Sequence, residues 1–187
     1  MAQTVSLPNL VTIARILLVP MAVWLVIDGQ MHLALLVFIV AGVSDAVDGW
    51  LAKRYDMKTE LGAHLDPLAD KLLLIALFVT LAIMEHVPAW LAILVVSRDV
   101  LIVGGVVLAW LLGRPMKMHP HPVSKANTAV QIVYIGLALL FAAAGWKMFW
   151  LQWLGAPLVA AFTIASGGLY LRDWLRHMAE ANDNAGS

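Results

Sequence analysis

Long apolar stretches separated by short polar connections occupy almost the whole chain. A membrane-spanning helix needs about 20 mostly apolar residues. Six stretches are long enough: Leu10 to Ile27, Met31 to Leu51, Leu65 to Met84, Pro88 to Leu112, Val123 to Ala144 and Phe149 to Leu171. Connections such as Asp28 to Gln30 are short, so neighbouring helices are expected to run antiparallel. The pattern predicts an all-α integral membrane protein with six transmembrane helices.

The same pattern predicts the domain organisation. No polar segment is long enough to form a separate soluble domain, so residues 1–177 are expected to form a single six-helix membrane domain. Residues 178–187 are polar or small apart from Met178 and offer little apolar surface to bury. We therefore expect them to form a disordered polar tail.

Composition supports a membrane protein and excludes several other classes. Of the 187 residues, 62% are apolar and 13% are charged, whereas soluble domains have roughly 45–50% and about 25%. The formal net charge is zero, which argues against a nucleic-acid partner, because such a partner requires a basic surface. The chain has no cysteine, so disulfides and thiolate chemistry are excluded.

The basic residues predict the orientation, because Lys and Arg concentrate in cytoplasmic loops. Lys147 lies on one side of the predicted bundle, and eight basic residues lie on the other: Lys53, Arg54, Lys58, Arg114, Lys117, Lys125, Arg172 and Arg176. Both termini are therefore expected in the cytoplasm. The first residues lack the basic segment and cleavage site of a signal peptide. Without a transit peptide, a bacterial inner membrane is the expected location.

Four aspartates flank the second predicted loop, although charge within a membrane span is costly and by default marks function. Asp45 and Asp48 are three residues apart, and Asp66 and Asp70 are four apart, so each pair shares one helix face. Oxygen ligands favour hard divalent ions such as Mg²⁺ or Mn²⁺. Two such ions are suited to phosphoryl transfer. The alternatives are a cation transporter that uses the aspartates as ion ligands, and structural pairing with Arg15, Lys71 and Arg98.

The aspartates belong to a longer motif that resembles the signature of the CDP-alcohol phosphotransferases, integral membrane enzymes of phospholipid synthesis. The motif is Asp45-x-x-Asp48-Gly49-x-x-Ala52-Lys53 and, after eight residues, Gly62-x-x-x-Asp66-x-x-x-Asp70. Lys53 stands where the family usually has Arg, and Arg54 follows it. The first span also begins like the family's Pro-Asn-x-x-Thr-x-x-Arg segment, with Pro8, Asn9, Thr12 and Arg15.

The resemblance implies a catalytic domain of six helices around a polar cavity open to the cytoplasm, usually in a homodimer. It implies a two-metal site of Asp45, Asp48, Asp66 and Asp70, with Asp70 also acting as general base on the acceptor hydroxyl. The donor is then CDP-diacylglycerol, and CMP is the leaving group. The implied donor-binding residues are Asn9, Thr12, Gly49, Ala52, Lys53, Thr59 and Gly62.

Residues in the fourth and fifth predicted spans indicate which acceptor alcohol the enzyme uses. Ser97-Arg98-Asp99 and the segment from Pro122 to Gln131 resemble the branch that makes cardiolipin from phosphatidylglycerol. The alternative branch uses glycerol 3-phosphate and tends to have a second Lys where this chain has Asn127. Phosphatidylglycerol carries less negative charge than glycerol 3-phosphate, so one fewer cation favours it as acceptor. Arg98, Lys125 and Arg15 are the candidate acceptor-binding residues.

Overall fold

The computed structural model describes residues 7–54, 60–112 and 122–183, and within them the side chains of residues 14–44, 71–112 and 122–179. These residues form six α-helices and a short π-helical turn, without a β-strand among them. The helices are α1 (Leu7–Ile27), α2 (Met31–Arg54), α3 (Glu60–Ile83), α4 (Ala89–Leu111), α5 (Pro122–Ala143) and α6 (Ala156–Asp183), and the π-helical turn, Leu151–Gly155, directly precedes α6.

The helices confirm the predicted all-helical fold. Among the described residues, three helical segments are long and apolar enough to cross a membrane: Ala89–Leu111, Pro122–Ala143 and Leu151–Ala179. Shorter apolar segments lie in the described parts of α1, α2 and α3. The last helix extends past the predicted end of its span to Asp183. Residues 178–183, for which the sequence predicts disorder, are therefore helical.

Residues Met1–Val87 and Ile135–Phe149 form one compact unit. In this unit α1 packs against both α2 and α3. The described core contains small and branched side chains from α1, such as Ala22 and Val26, and larger ones from α3, such as Leu77 and Phe78. Many apolar side chains on the outside, Trp24 and Ile83 among them, are exposed, as expected for a surface that faces lipid.

The second compact unit consists of Pro88–Tyr134 and Trp150–Ser187. Here α4 packs against α6, and the two helices run in parallel. Tyr170 donates a hydrogen bond to the Ile102 carbonyl at 3.0 Å, and one turn further along both helices Trp174 Nε1 donates to the Gly105 carbonyl at 2.9 Å. The aromatic donors of α6 thus reach the backbone of α4 directly.

Gly105 makes this close approach possible. A Cβ atom added at Gly105 would lie 2.7 Å from the Tyr170 hydroxyl oxygen, whereas one added at Gly104 would have no described neighbour within 4 Å.

We expect Gly105→Ala to lower the free energy of unfolding by about 1–3 kcal/mol, because the added methyl group overpacks the contact between α4 and α6. Gly104→Ala is the matched control and should leave stability unchanged or slightly raised, since alanine favours helix. Thermal unfolding of the detergent-solubilised variants measures both. Equal melting temperatures for the two variants would contradict the close contact.

The turns after α1, α3 and α5 share one hydrogen-bond pattern, in which a residue with positive φ ends the helix. Gly29 and Gly145 have φ of 76° and 66°, and Glu85 has φ of 60°. In the turn after α3, the Glu85 amide donates to the Ala82 carbonyl and the His86 amide donates to the Leu81 carbonyl. This is the Schellman motif, which glycine normally completes because its backbone lacks a Cβ clash in this region.

Glu85→Gly is expected to stabilise the protein by about 1 kcal/mol, because a side chain in the left-handed region costs about that much. Gly145→Ala, at the equivalent position after α5, should destabilise it by a similar amount. The measurement is the shift in melting temperature, and a destabilising Glu85→Gly would show that the Glu85 side chain makes a compensating interaction.

Candidate active site

The residues of the predicted donor site lie on α1, α2 and α3 and in the connection between α2 and α3. The structure describes the backbone of these residues on the helices but not their side chains. Thr59 lies in the connection, outside the described residues. The backbone assigns Asn9 and Thr12 to α1, the group Asp45, Asp48, Gly49, Ala52 and Lys53 to α2, and the group Gly62, Asp66 and Asp70 to α3.

The helical backbone supports the spacing argument for the aspartates. Asp45 and Asp48 are one turn apart in α2, which ends at Arg54, and Asp66 and Asp70 are one turn apart in α3, which begins at Glu60. Their carboxylate oxygens are the ligands that Mg²⁺ and Mn²⁺ prefer. Among the side chains the structure describes, no group of three or more His, Asp or Glu could hold a metal ion. The two-metal site therefore remains a prediction from the sequence.

Arg98 on α4 is at the centre of a buried polar cluster that connects three helices. Its Nη1 donates to Asp99 Oδ1 at 2.6 Å, and its Nη2 donates to the hydroxyls of Ser124 on α5 at 2.7 Å and of Ser166 on α6. Arg98 and Asp99 are only 6% and 8% exposed. A buried cation needs a counter-charge and hydrogen-bond acceptors, and this cluster provides both.

A second polar cluster lies one helical turn away, between α5 and α6. The Thr163 hydroxyl is 3.0 Å from Asn127 Oδ1 and 2.8 Å from the Val159 carbonyl, and it accepts from Gln131 Nε2 at 3.4 Å. Asn127 is 0% exposed and Thr163 is 1% exposed. Ser124 and Ser166 share the Arg98 guanidinium, and Asn127 contacts Thr163, so rising residue numbers on α5 are paired with falling numbers on α6 and the two helices are antiparallel.

The other two predicted acceptor-binding residues differ in accessibility. Lys125, next to Ser124 at the start of α5, is exposed. Arg15 on α1 is 3% exposed and belongs to the first compact unit, whereas Arg98 and Lys125 belong to the second. Of the three, the structure therefore brings Arg98 and Lys125 into one unit, where Ser124 contacts Arg98 and is the chain neighbour of Lys125.

Sequence reasoning did not assign the partners of Arg98 or the contacts of Thr163. The signal that could have identified them is a polar stripe in otherwise apolar helices. Ser124, Asn127 and Gln131 follow one another at intervals of three and four residues on α5, and Thr163 and Ser166 are three apart on α6. Such spacing places polar groups on one face of each helix. Which helices those faces meet depends on tertiary packing.

The sequence is similar to a known protein family and to characterised members of it. A family model described as CDP-alcohol phosphatidyltransferase matches residues 5–161, a range that contains the four aspartates, Arg98 and Lys125. A cardiolipin synthase (CMP-forming) / mitochondrial hydrolase fusion protein of Schizosaccharomyces pombe is 33% identical over 180 residues, covering 88% of this chain and 30% of that protein. The human cardiolipin synthase (CMP-forming) is 32% identical over 150 residues, covering 72% of this chain and 50% of that protein.

A relative named for a different activity is similar over almost its whole length. The CDP-diacylglycerol–glycerol-3-phosphate 3-phosphatidyltransferase of Pseudomonas fluorescens is 32% identical over 185 residues, which is 94% of this chain and 90% of that protein. The chain spans half or less of the length of the yeast and human cardiolipin synthases. The family match covers most of the sequence, including the motif on α2 and α3, and both kinds of relative are named for phospholipid synthesis, so this protein belongs to the CDP-alcohol phosphatidyltransferase family.

Proposed function

We propose that the protein transfers the phosphatidyl group of CDP-diacylglycerol to phosphatidylglycerol, forming cardiolipin and releasing CMP, and so acts as a cardiolipin synthase. The observation that carries the choice of acceptor is the charge balance around Arg98. Asp99 neutralises this guanidinium at 2.6 Å, and the neighbouring cluster of Asn127, Gln131 and Thr163 is uncharged. Among the described residues, Lys125, the chain neighbour of Ser124, supplies a further positive charge.

This balance suits a monoanionic acceptor better than a dianionic one. Glycerol 3-phosphate is a small soluble dianion whose capture depends on several cations, whereas phosphatidylglycerol is a monoanionic diester that the bilayer already concentrates. Arg98 retains N–H groups for a ligand, because Asp99, Ser124 and Ser166 together engage three of the five that a guanidinium carries. We assign the acceptor phosphate to Arg98 and Lys125, and Arg15 to either acceptor binding or structural pairing.

The proposed reaction is a direct displacement at phosphorus. Asp70 accepts the proton of the phosphatidylglycerol hydroxyl, whose oxygen then forms a bond to the lipid-side phosphorus of the donor. The bond from that phosphorus to the pyrophosphate bridging oxygen breaks, and CMP leaves with the bonding electrons. The donor-binding residues hold the cytidine and its phosphates: Asn9, Thr12, Gly49, Ala52, Lys53, Thr59 and Gly62. Two divalent cations, Mg²⁺ or Mn²⁺, supply charge neutralisation at the pyrophosphate when bound to Asp45, Asp48, Asp66 and Asp70.

The setting of this reaction is part of the proposal. The basic loops support an orientation with both termini and a polar active-site cavity on the cytoplasmic side of a bacterial inner membrane. Membrane lipids surround the helices, and a homodimer is the expected assembly from the family resemblance.

A phosphatidylglycerophosphate synthase is the second candidate function. The observation in its favour is the length of the similarity to the Pseudomonas fluorescens enzyme, which extends over 90% of that protein. It would use the same donor, metal ions and base, with glycerol 3-phosphate as acceptor.

Purified protein with labelled CDP-diacylglycerol and Mg²⁺ or Mn²⁺, assayed with each acceptor separately, tests the proposal. We expect CMP release with phosphatidylglycerol, little with glycerol 3-phosphate, and none after chelation of the metal. Release with glycerol 3-phosphate alone would favour the second candidate. Failure to release CMP with any alcohol would contradict the proposed activity. The cation-transporter alternative would then be tested by measuring cation flux into liposomes that contain the protein.

A further inference from the structure

The buried polar side chains of α5 and α6 form two levels, one turn apart. At the first level, Ser124 and Ser166 both accept from Arg98 Nη2. At the second level, the Thr163 hydroxyl contacts Asn127 and Gln131. Because Ser124 and Asn127 are three residues apart on α5, and Thr163 and Ser166 three apart on α6, one helix pair carries both levels.

Within a helix, a threonine hydroxyl can be satisfied by the backbone carbonyl four residues earlier, and Thr163 has polar contacts beyond that one. Thr80 on α3 gives the comparison, since it is also buried, at 6% exposure, and its hydroxyl donates to the carbonyl four residues earlier, Ala76, at 2.7 Å. Thr163 has the equivalent contact with Val159 at 2.8 Å. A hydroxyl carries one proton, so Thr163 Oγ1 donates either to the Val159 carbonyl or to Asn127 Oδ1, and in both cases it can accept from Gln131 Nε2. The contacts with Asn127 and Gln131 reach another helix, which the Thr80 hydroxyl contact does not.

The position of α5 along α6 determines whether Arg98 keeps both serine partners. Two hydroxyl oxygens that accept from one nitrogen must each remain within about 3 Å of it. Ser124 is on α5 and Ser166 is on α6, so a displacement of one helix along the other changes the distance between the two hydroxyls that share this nitrogen. The Thr163 contacts, one turn away on the same two helices, oppose such a shift.

We propose that Thr163 is a positioning residue for acceptor binding, which locks α5 to α6 through Asn127 and Gln131 and thereby holds Ser124 and Ser166 around the Arg98 guanidinium. This inference rests on the proposed role of Arg98 in binding the acceptor. Thr163 acts through Arg98 and does not touch the substrate, so its loss affects acceptor binding while donor binding is retained.

Thr163→Val tests the proposal in the full-length protein, because valine keeps the shape of threonine and replaces the hydroxyl with a methyl group, which cannot form hydrogen bonds. We expect the KM for the acceptor to rise about fivefold, the effect of losing a hydrogen bond. The kcat and the KM for CDP-diacylglycerol should stay within about twofold of the wild type. Thr163→Ser should restore the acceptor KM. Thr80→Val is the matched control and should leave all three parameters unchanged.

A double-mutant cycle with Arg98→Lys separates positioning from general stability. If Thr163 acts through Arg98, Thr163→Val should raise the acceptor KM in the wild-type background and have no further effect in the Arg98→Lys background. Equal effects in both backgrounds, equal effects of Thr163→Val and Thr80→Val, or an Arg98→Lys variant with a normal acceptor KM would each overturn the proposal. If Thr163→Val does not fold, Asn127→Leu removes the same contact from α5 and is judged by the same outcomes.

The wild-type protein is first assayed with each acceptor, and the acceptor that it uses is then used for all the variants. If CMP is released with glycerol 3-phosphate and not with phosphatidylglycerol, the proposed acceptor is wrong, and the cycle is carried out with glycerol 3-phosphate. If phosphatidylglycerol is used and the cycle is additive, the positioning role is wrong and the proposed activity stands. The two failures are therefore distinguished.

Discussion

Replacing Asp70 with asparagine should reduce kcat by about 10³-fold or more, the largest effect we expect of any single change in this chain. Asparagine keeps the size of the side chain but cannot accept the proton from the acceptor hydroxyl, and general bases contribute 10²- to 10⁴-fold. The substitution also removes a negative charge from the proposed metal site. CMP release at saturating donor and acceptor measures this loss.

Donor binding should largely survive Asp70→Asn, because the residues assigned to the cytidine and phosphates are unchanged. Binding of CDP-diacylglycerol to the variant is therefore the companion measurement. Asp28→Asn is the control, since Asp28 lies exposed in the turn between α1 and α2 and should leave kcat unchanged. An Asp70→Asn variant with substantial turnover would remove Asp70 from the role of base.

Asp99→Asn should lower the free energy of unfolding by about 3 kcal/mol, because it removes the counter-charge that the described residues provide for the buried Arg98 guanidinium. The asparagine oxygen can still accept a hydrogen bond from Nη1, so the substitution isolates the contribution of charge. Thermal unfolding in detergent measures the change. A melting temperature equal to that of the wild type would mean that another group neutralises Arg98.

The chain contains a close control for Asp99→Asn. Arg172 and Asp173 on α6 are also adjacent and form an ion pair at 3.3 Å, but their side chains are 55% and 28% exposed. Solvent screens such a pair, so Asp173→Asn should change stability by less than about 0.5 kcal/mol. A similar loss in both variants would contradict the importance of burial at Arg98.

The fold could be predicted from the sequence to a large extent, because the signal is simple. Apolar stretches of about 20 residues separated by short polar turns have few solutions other than helices in a membrane. Helix ends were harder. The sixth span was predicted to end at Leu171 from the loss of hydrophobicity, and its helix continues to Asp183. Beyond Leu171, Trp174 still donates a hydrogen bond to the Gly105 carbonyl of α4, a contact that hydrophobicity does not reveal.

The candidate site was only partly predictable. The motif from Asp45 to Asp70 could be identified because its carboxylates are unusual within apolar helices and because their spacing resembles that of a known family. Arg98 was identified as a candidate ligand, with pairing to a carboxylate as the alternative, and the structure shows that it is paired with Asp99. Ser124 was noted only as part of the segment from Pro122 to Gln131, and Ser166 and Thr163 were not singled out, because serine and threonine are common in membrane helices and only the helix packing shows which of them meet.

The adjacency of Arg98 and Asp99 has a consequence for how the protein is made. On insertion scales, an arginine or an aspartate at the centre of a membrane helix each costs about 2.5–3.5 kcal/mol. Because the two residues are neighbours on α4, the charge is neutralised within the helix itself, and α4 can leave the translocon as an electrically neutral segment. Ser124 and Ser166 belong to helices that are synthesised later, so their hydroxyls complete the cluster only when α5 and α6 have joined α4 in the bilayer.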